Sequence, residues 1–173
     1  MIDLAFQSTL TADHREALER LMFFNQRQRQ ADTAVTRALE LFGSPTIVSE
    51  PSGVHIAFDA CPEVQCLFAI ERGRRSDALA GVVVYVRTSV EEVLVLHIAV
   101  PDRYGRRGLE VVAALVRTVR AAAARMRGVE RMTMLDLQGR ELRITIRAVG
   151  SRSIRDRQST APRDAARLPA RAS

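Results

Sequence analysis

The chain has 173 residues, of which 47% are hydrophobic and 27% are charged, and its formal net charge is +6 at pH 7. This length and composition are typical of one globular domain and argue against a fully disordered chain. No apolar run approaches the roughly 20 residues that a membrane helix requires, and the N-terminal segment has neither the basic residues nor the long apolar stretch of a secretory signal. We therefore expect a cytoplasmic protein with no membrane contact.

The positive charge is distributed unevenly along the chain. Residues 151–173 contain six arginines and two aspartates, a net charge of +4, which leaves +2 for residues 1–150. The last segment has few large apolar residues, so it cannot bury enough surface to offset the entropy of ordering it. We predict a folded domain over 1–150 and a disordered arginine-rich tail over 151–173. A weaker hypothesis is that the tail contacts polyanions. We do not expect nucleic acid as a partner of the domain.

The first elements are a strand and two helices. Residues 2–6 are apolar-rich and predict a strand. Asp13 and Glu16 are spaced as in a capping box that opens a helix, whose apolar face continues as Leu18, Leu21 and Met22. A second helix is predicted from the apolar positions Val35, Ala38, Leu39 and Phe42, with Gly43 placed to end it in the left-handed conformation.

From residue 45 to residue 100 the pattern changes to that of strands. Turn-rich segments at 51–53 and 73–77 separate them, and because these connections are short we expect antiparallel neighbours. The last strand is apolar at nearly every position, which predicts a place at the centre of the sheet. The predicted strands are Thr46–Ser49, Val54–Asp59, Val64–Glu71, Leu79–Thr88 and Glu92–Val100.

A long amphipathic helix follows and leads to two further strands. Its apolar face is Val112, Leu115, Val116, Val119, Ala123 and Met126. The strand predicted at Arg131–Leu137 would lie parallel to the strand before the helix, because a strand, a helix and a strand form a right-handed crossover. Gln138 and Gly139 predict a turn into a last strand with alternating Leu142, Ile144 and Ile146. Its edge is suited to pairing with a second copy, as a homodimer.

The segment from Leu94 to Leu109 joins the central strand to the long helix through a loop rich in arginine and glycine. It reads Leu-Val-Leu-His-Ile-Ala-Val-Pro-Asp-Arg-Tyr-Gly-Arg-Arg-Gly-Leu. With the order of the elements, it resembles the GNAT superfamily of acyl-CoA-dependent N-acyltransferases. The resemblance implies an α/β fold with a central mixed β-sheet flanked by helices, acetyl-CoA or coenzyme A as co-substrate, and an amine as the acceptor.

The resemblance places coenzyme A at the end of the central strand and in the loop. A helix N-terminus flanked by glycines and arginines suits a pyrophosphate. The family's slot for the pantetheine arm corresponds to Ile98–Val100 opposite Met132–Leu135. The predicted cofactor-binding residues are Ile98, Ala99, Val100, Arg103, Gly105, Arg106, Arg107, Gly108 and Leu109.

Two residues are candidates for a general base. The carboxylate that family members often use falls at Leu94, and Glu92 is the nearest acid on that face of the strand. His97 has a suitable unperturbed pKa near 6.5 but points to the opposite face if the strand is regular. The alternatives are a salt-bridged glutamate at the rim and a hydrogen-bonded histidine in the core. Cys61, Cys66 and the isolated histidines predict no metal site.

The sequence departs from the family in two ways. The family's last helix and its tyrosine, which protonates the leaving thiolate, have no counterpart after the strand at 131–137. Glu110 stands in the first turn of the long helix, where the family has a small residue. Two functions therefore remain open: an N-acetyltransferase, and a GNAT-like module without catalysis that serves binding or assembly.

Overall fold

The computed structural model describes residues 2–23, 36, 40–73, 76–135 and 140–147. Among these residues lie eight strands, two α-helices and two short 3-10 helices at Ala12–His14 and Asp102–Arg107. The α-helices are α1 (Arg15–Phe23) and α2 (Gly108–Ala123). The strands are β1 (Leu4–Gln7), β2 (Pro45–Glu50), β3 (Gly53–Phe58), β4 (Gln65–Glu71), β5 (Ala78–Arg87), β6 (Glu92–Ala99), β7 (Arg131–Leu135) and β8 (Glu141–Thr145).

Some predicted features lie outside the described residues. These are most of the second helix, including Val35, Ala38 and Leu39, the turn at 138–139, and the tail at 151–173. The end of the second helix is described: residues 40–42 are helical. Gly43 then has a φ of 79°, which confirms the predicted left-handed termination.

Six strands form one mixed sheet in the order β1-β4-β5-β6-β7-β8. All neighbours are antiparallel except β6 and β7, which are parallel. The mixed α and β architecture, the central position of β6 and the parallel crossover through α2 are thereby confirmed. In the described residues β8 is the outermost strand at its end of the sheet.

The prediction that every consecutive strand from β2 to β6 pairs with the next was wrong at one place. β2 and β3 form a separate two-stranded sheet, and β4 pairs with β1 instead of β3. The main-chain groups of Val54 in β3 bond to Leu10, with N···O distances of 2.9 and 2.7 Å. The short connection between β3 and β4 would allow the two strands to pair, but β1 occupies that edge of β4.

The predicted capping box at Asp13 and Glu16 does not form. Asp13 lies inside the 3-10 helix, and Thr11, which precedes that helix, makes no capping bond to its main chain. The Thr11 hydroxyl instead lies 2.9 Å from Nδ1 of His14. The predicted apolar face of α1 is confirmed, because Leu18, Leu21 and Met22 are buried.

Helices and the hairpin cover the two faces of the sheet. On one face α1 and the β2–β3 hairpin pack in what we call the first cluster, with Phe68, Val82, Val84 and Leu96 among its members. On the other face α2 packs in the second cluster, which includes Val83, Val95, Val111 and Leu115. Because neighbouring side chains of a strand point to opposite faces, β5 contributes to both clusters.

α2 packs closely against the sheet at Gly81 in β5. A Cβ atom there would lie 3.0 Å from the carbonyl oxygen of Ala99, 3.1 Å from Cγ1 of Val111 and 3.2 Å from Cδ1 of Leu115. A carbonyl oxygen in a paired strand cannot move as a side-chain end can. Only glycine therefore lets α2 pack at this depth.

We predict that Gly81→Ala lowers the free energy of unfolding by about 1 to 3 kcal/mol, the usual cost of overpacking a core. Urea denaturation of the two proteins measures the difference. An unchanged midpoint would show that α2 can move away from β5 without cost, and would contradict the close packing described above.

Candidate functional site

The parallel pair β6–β7 is paired over only part of β6. Partners run from Glu92 with Arg131 to Val95 with Met134, whereas β6 continues to Ala99. The predicted slot between Ile98–Val100 and Met132–Leu135 was therefore wrong in its register, since Met132–Met134 pair with Val93–Val95. Residues 136–139, which follow β7, lie outside the described part of the chain. The described pairing of β6 with β7 therefore ends at Val95 with Met134.

β6 contains a β-bulge at the same point. His97 pairs with Val84, but Val95 pairs with Tyr85, so Leu96 is an extra residue. Val84 belongs to the first cluster, and directly opposite residues share a face of the sheet. His97 therefore lies on the same face as Leu94. The prediction of the opposite face was wrong because the strand is not regular.

Nε2 of His97 is buried and has no hydrogen-bond partner among the described residues. The residue as a whole is half-buried. Burial lowers the pKa of His97 to about 4, so the imidazole is neutral at pH 7. In the tautomer with its proton on Nδ1, Nε2 is a free proton acceptor.

Glu92 lies at the other end of β6 in a network of polar contacts. It accepts a hydrogen bond of 2.7 Å from the Thr133 hydroxyl and lies 3.3 Å from Nε of Arg131. The Thr133 hydrogen bond, with a further contribution from Arg131, lowers the pKa of Glu92 despite partial burial. Glu92 and His97 are five positions apart along the strand, roughly 15 Å. The structure therefore does not bring the two candidate bases together.

The loop between β6 and α2 is a 3-10 helix broken at Gly105. This glycine has φ 48° and ψ −125°, a conformation that side-chain-bearing residues avoid. A Cβ atom at Gly105 would have no other atom within 4 Å, so the space beside its main chain is open. The backbone here is accessible to a ligand.

Tyr104 anchors this loop to the sheet. Its ring is buried in the second cluster, and its hydroxyl donates a hydrogen bond of 2.7 Å to Oε2 of Glu71 in β4. Burial, with Glu71 adding to it, raises the pKa of the Tyr104 phenol, which stays a donor at neutral pH. The Arg103 guanidinium lies 5.1 Å from the ring centroid and also donates to the carbonyl of Leu79. Sequence reasoning missed the Glu71 contact because 33 residues separate the partners.

The outer side of the loop and of the first turn of α2 carries charge. Arg106 and Arg107 are exposed, and no side chain caps the start of α2. Gly108 is buried as the first residue of α2, whereas Leu109 is 75% exposed. Glu110 is exposed in the same turn. The predicted phosphate-binding residues are thus contiguous in space, with one carboxylate beside them.

Two adjoining cavities of about 280 and 490 Å³ lie beside Arg103, between α1 and the start of β5. His14 lines the larger one with Asp13 and Asp77, and its Nε2 is buried without a partner in the described residues. From the sequence His14 was an isolated surface or structural residue. Its neighbourhood could not be foreseen because Asp77 comes from the distant turn before β5. His97 is not among the residues that line either cavity.

No three His, Cys, Asp or Glu side chains in the described residues form a group that could hold a metal ion. Cys66 is buried, and burial raises the pKa of its thiol to about 12, so it is not a thiolate at neutral pH. Over the same residues, no helix is long and apolar enough to cross a membrane.

Comparisons with known proteins assign no family. No protein-family model matches the chain. No curated protein sequence matches it either.

We predict that His97 makes the stability of the fold depend on pH between about 6.5 and about 4. In this range the unfolded chain binds a proton at residue 97 that the folded chain does not, so stability falls as the pH is lowered. The contribution is about 2 kcal/mol, after allowing for the part of the residue that solvent reaches. Urea denaturation from pH 7 to pH 4 measures it.

The control is His97→Gln, which keeps a polar side chain but does not titrate. Its stability should fall less between pH 6.5 and pH 4, and the difference between the two curves isolates His97 from the carboxylates that titrate in both proteins. Parallel curves would contradict a buried, neutral His97.

Proposed function

We propose that this protein is an acyl-CoA-dependent N-acyltransferase of the GNAT type, which moves an acetyl group from acetyl-CoA to a primary amine. The observation that carries the proposal is the loop after the central strand β6, where the space beside the main chain of Gly105 is open and no side chain caps the start of α2. Sheets with parallel strands bind ligands beyond the carboxyl ends of those strands, which is where this loop lies.

The loop has the chemistry that a pyrophosphate requires. The open space beside Gly105 lets an anion approach the main chain. The start of α2 has no capping side chain and carries partial positive charge, although the N–H of Gly108 itself bonds to the carbonyls of Arg106 and Gly105. Arg106 and Arg107 are exposed and suited to phosphate contacts. We assign the pantetheine arm to the edge of β6 over Leu96–Ala99, next to Ile98, Ala99 and Val100.

The proposed reaction is an attack of the neutral amine on the thioester carbonyl carbon. The C–N bond forms, the C–S bond breaks and the sulfur leaves as a thiolate. A backbone N–H on the β7 side of Leu96–Ala99 would stabilise the negative charge that develops on the carbonyl oxygen. Water would accept the proton released by the amine, because Nε2 of His97 is buried and its pKa of about 4 makes it a weak base at neutral pH.

The thiolate would take its proton from solvent, because neither tyrosine is free to donate one. Tyr85 is buried in the second cluster, and the hydroxyl of Tyr104 is bound to Glu71. A thiol of ordinary pKa, near 8.5, is a tolerable leaving group without an acid at its side. Glu92 has no role in this scheme, since its network lies at the opposite end of β6.

We predict that acetyl-CoA stabilises the wild-type protein and that the charges of the loop set its affinity. Ligand at 100 times its dissociation constant should raise the free energy of unfolding by about 2.7 kcal/mol. Arg106→Ala with Arg107→Ala should weaken binding, and Glu110→Gln should tighten it by about 1 kcal/mol, since it removes a like charge from a wet site. Thermal denaturation and calorimetry measure both effects.

Arg143→Ala with Arg147→Ala is the matched control, because both arginines are exposed and lie towards the end of the sheet that carries Glu92. It should leave acetyl-CoA binding unchanged. No stabilisation at millimolar acetyl-CoA would refute the proposal. Weaker binding of acetyl-CoA by Glu110→Gln would refute the assignment of the phosphates to the start of α2.

A second candidate is a non-catalytic module that assembles through β8. Leu142 on this edge strand is 47% exposed, and Glu141 and Arg143 flank it with opposite charges. If two copies of β8 pair antiparallel about Leu142, each Glu141 lies opposite Arg143 of the other copy and the two leucines meet. Both kinds of cross-strand pair are favourable, so the strand is complementary to itself.

This candidate predicts a dimer at tens of micromolar, measured by light scattering after size exclusion. Leu142→Lys should give a monomer, because it places two like charges opposite each other in the proposed pair. Leu109→Lys is the control: Leu109 is also exposed but lies at the start of α2, so the dimer should persist. A monomeric wild type, or equal dissociation by both variants, would exclude pairing through β8.

A further inference from the structure

The net positive charge of the protein is concentrated in one stretch of the folded domain. Residues 103–127 contain seven arginines and one glutamate, a net charge of +6, so the rest of the chain sums to zero. The net charge of +2 over residues 1–150 does not reveal this stretch, because the sum also includes the acidic segments of the domain. The stretch is α2 with the segments at its two ends.

Six of these arginines are exposed and have no partner among the described residues. None of them makes a side-chain hydrogen bond or an ion pair there. Exposed arginines elsewhere, such as Arg15, Arg20 and Arg143, each pair with a glutamate. Among the described residues, carboxylates therefore pair with several arginines on other surfaces and with none of these six. We call the six the arginine face: Arg106, Arg107, Arg117, Arg120, Arg125 and Arg127.

The geometry of α2 turns this face to solvent. The side of the helix that carries Val111, Leu115 and Val119 lies in the second cluster. At 100° per residue, Arg117 and Arg120 lie on the opposite side. The exposed positions between the charges include Ala113 and Ala121, whose small side chains let a large surface approach closely. The helix is about 24 Å long, with two arginines of the face before its start and two after its end.

We propose that the arginine face binds the phosphate backbone of a double-stranded nucleic acid without reading its bases. A duplex presents one negative charge for about every 1.7 Å of its axis, and guanidinium groups bind phosphates in two-pronged contacts. Single strands need aromatic side chains on which bases stack, and α2 contains none. A helix that inserts into an anionic membrane surface needs large apolar side chains between the basic ones. The exposed positions of α2 near Arg117 and Arg120 are alanines, and the exposed Leu109 lies apart from them at the start of the helix.

This inference does not rest on the proposed acyltransferase activity. Arg117 and Arg120 lie two or more turns of α2 beyond the loop assigned to the pyrophosphate. Variants at these two positions therefore separate duplex binding from acetyl-CoA binding. The full chain is used throughout, so the arginines of the tail are present in every protein compared.

The test is fluorescence anisotropy with a labelled DNA duplex of about 20 base pairs, over a range of salt concentrations. Arg117→Ala with Arg120→Ala should weaken binding about tenfold at about 100 mM salt and lower the slope of log K against log salt by about 2. The matched control is Arg20→Ala with Arg72→Ala, which removes the same charge from exposed positions outside the face. It should retain nearly wild-type affinity and slope. Thermal denaturation establishes that both variants fold, as expected for alanine at exposed positions.

Three results would overturn the proposal. Equal losses in the two double variants would show that net charge alone attracts the duplex. Unchanged binding in Arg117→Ala with Arg120→Ala would assign the duplex to another part of the chain. Displacement of the duplex by phosphatidylserine vesicles at equal phosphate concentration, with no displacement by uncharged vesicles, would identify a membrane surface as the partner.

Discussion

The antiparallel pairing of β5 with β6 is the constraint on which the rest of the structure depends. Every residue of β5 from Leu79 to Val86 is buried. Alternate side chains of this strand enter the two clusters, so α1 and the hairpin on one face and α2 on the other pack against the same backbone. Burial of both faces contributes the largest favourable term to folding, and it leaves the strand no freedom to change register. The bulge in β6 and the loop that follows β6 therefore have well-defined positions relative to the sheet.

The candidate site follows from that rigidity. The bulge at Leu96 lies within the β5–β6 pair, and it turns His97 towards the first cluster. The loop that follows β6 is also anchored to β4, because the Tyr104 hydroxyl donates a hydrogen bond to Glu71. An irregular main chain with Gly105 at its bend is thus supported by the most rigid part of the sheet. Such support allows a loop to hold a ligand without reorganising.

α2 joins two surfaces of different chemistry. One side packs in the apolar second cluster, and its start borders the loop. Its outer side carries arginines that have no carboxylate partner in the part of the chain that the structure describes. Isolated positive charges so close together repel one another, and each loses some stability that a paired arginine would have. A fold that keeps them on one helix is suited to an anionic partner. Both surfaces would then bind phosphate groups through positive charge. The loop would bind those of coenzyme A, and the arginine face would bind those of a nucleic-acid duplex.

The amino-acid sequence by itself determined the elements and the main connection. Strand bounds, the apolar faces of α1 and α2, the parallel crossover and the left-handed Gly43 follow from local periodicity, turn residues and the handedness of crossovers, all of which act over short distances. Only the tertiary structure decided that β4 pairs with β1, that Leu96 is a bulge and that His97 therefore shares the face of Leu94. It also decided the register of β6 with β7 and the contact of Tyr104 with Glu71. These depend on which distant backbone groups compete for the same partner, and periodicity along one strand carries no information about that competition.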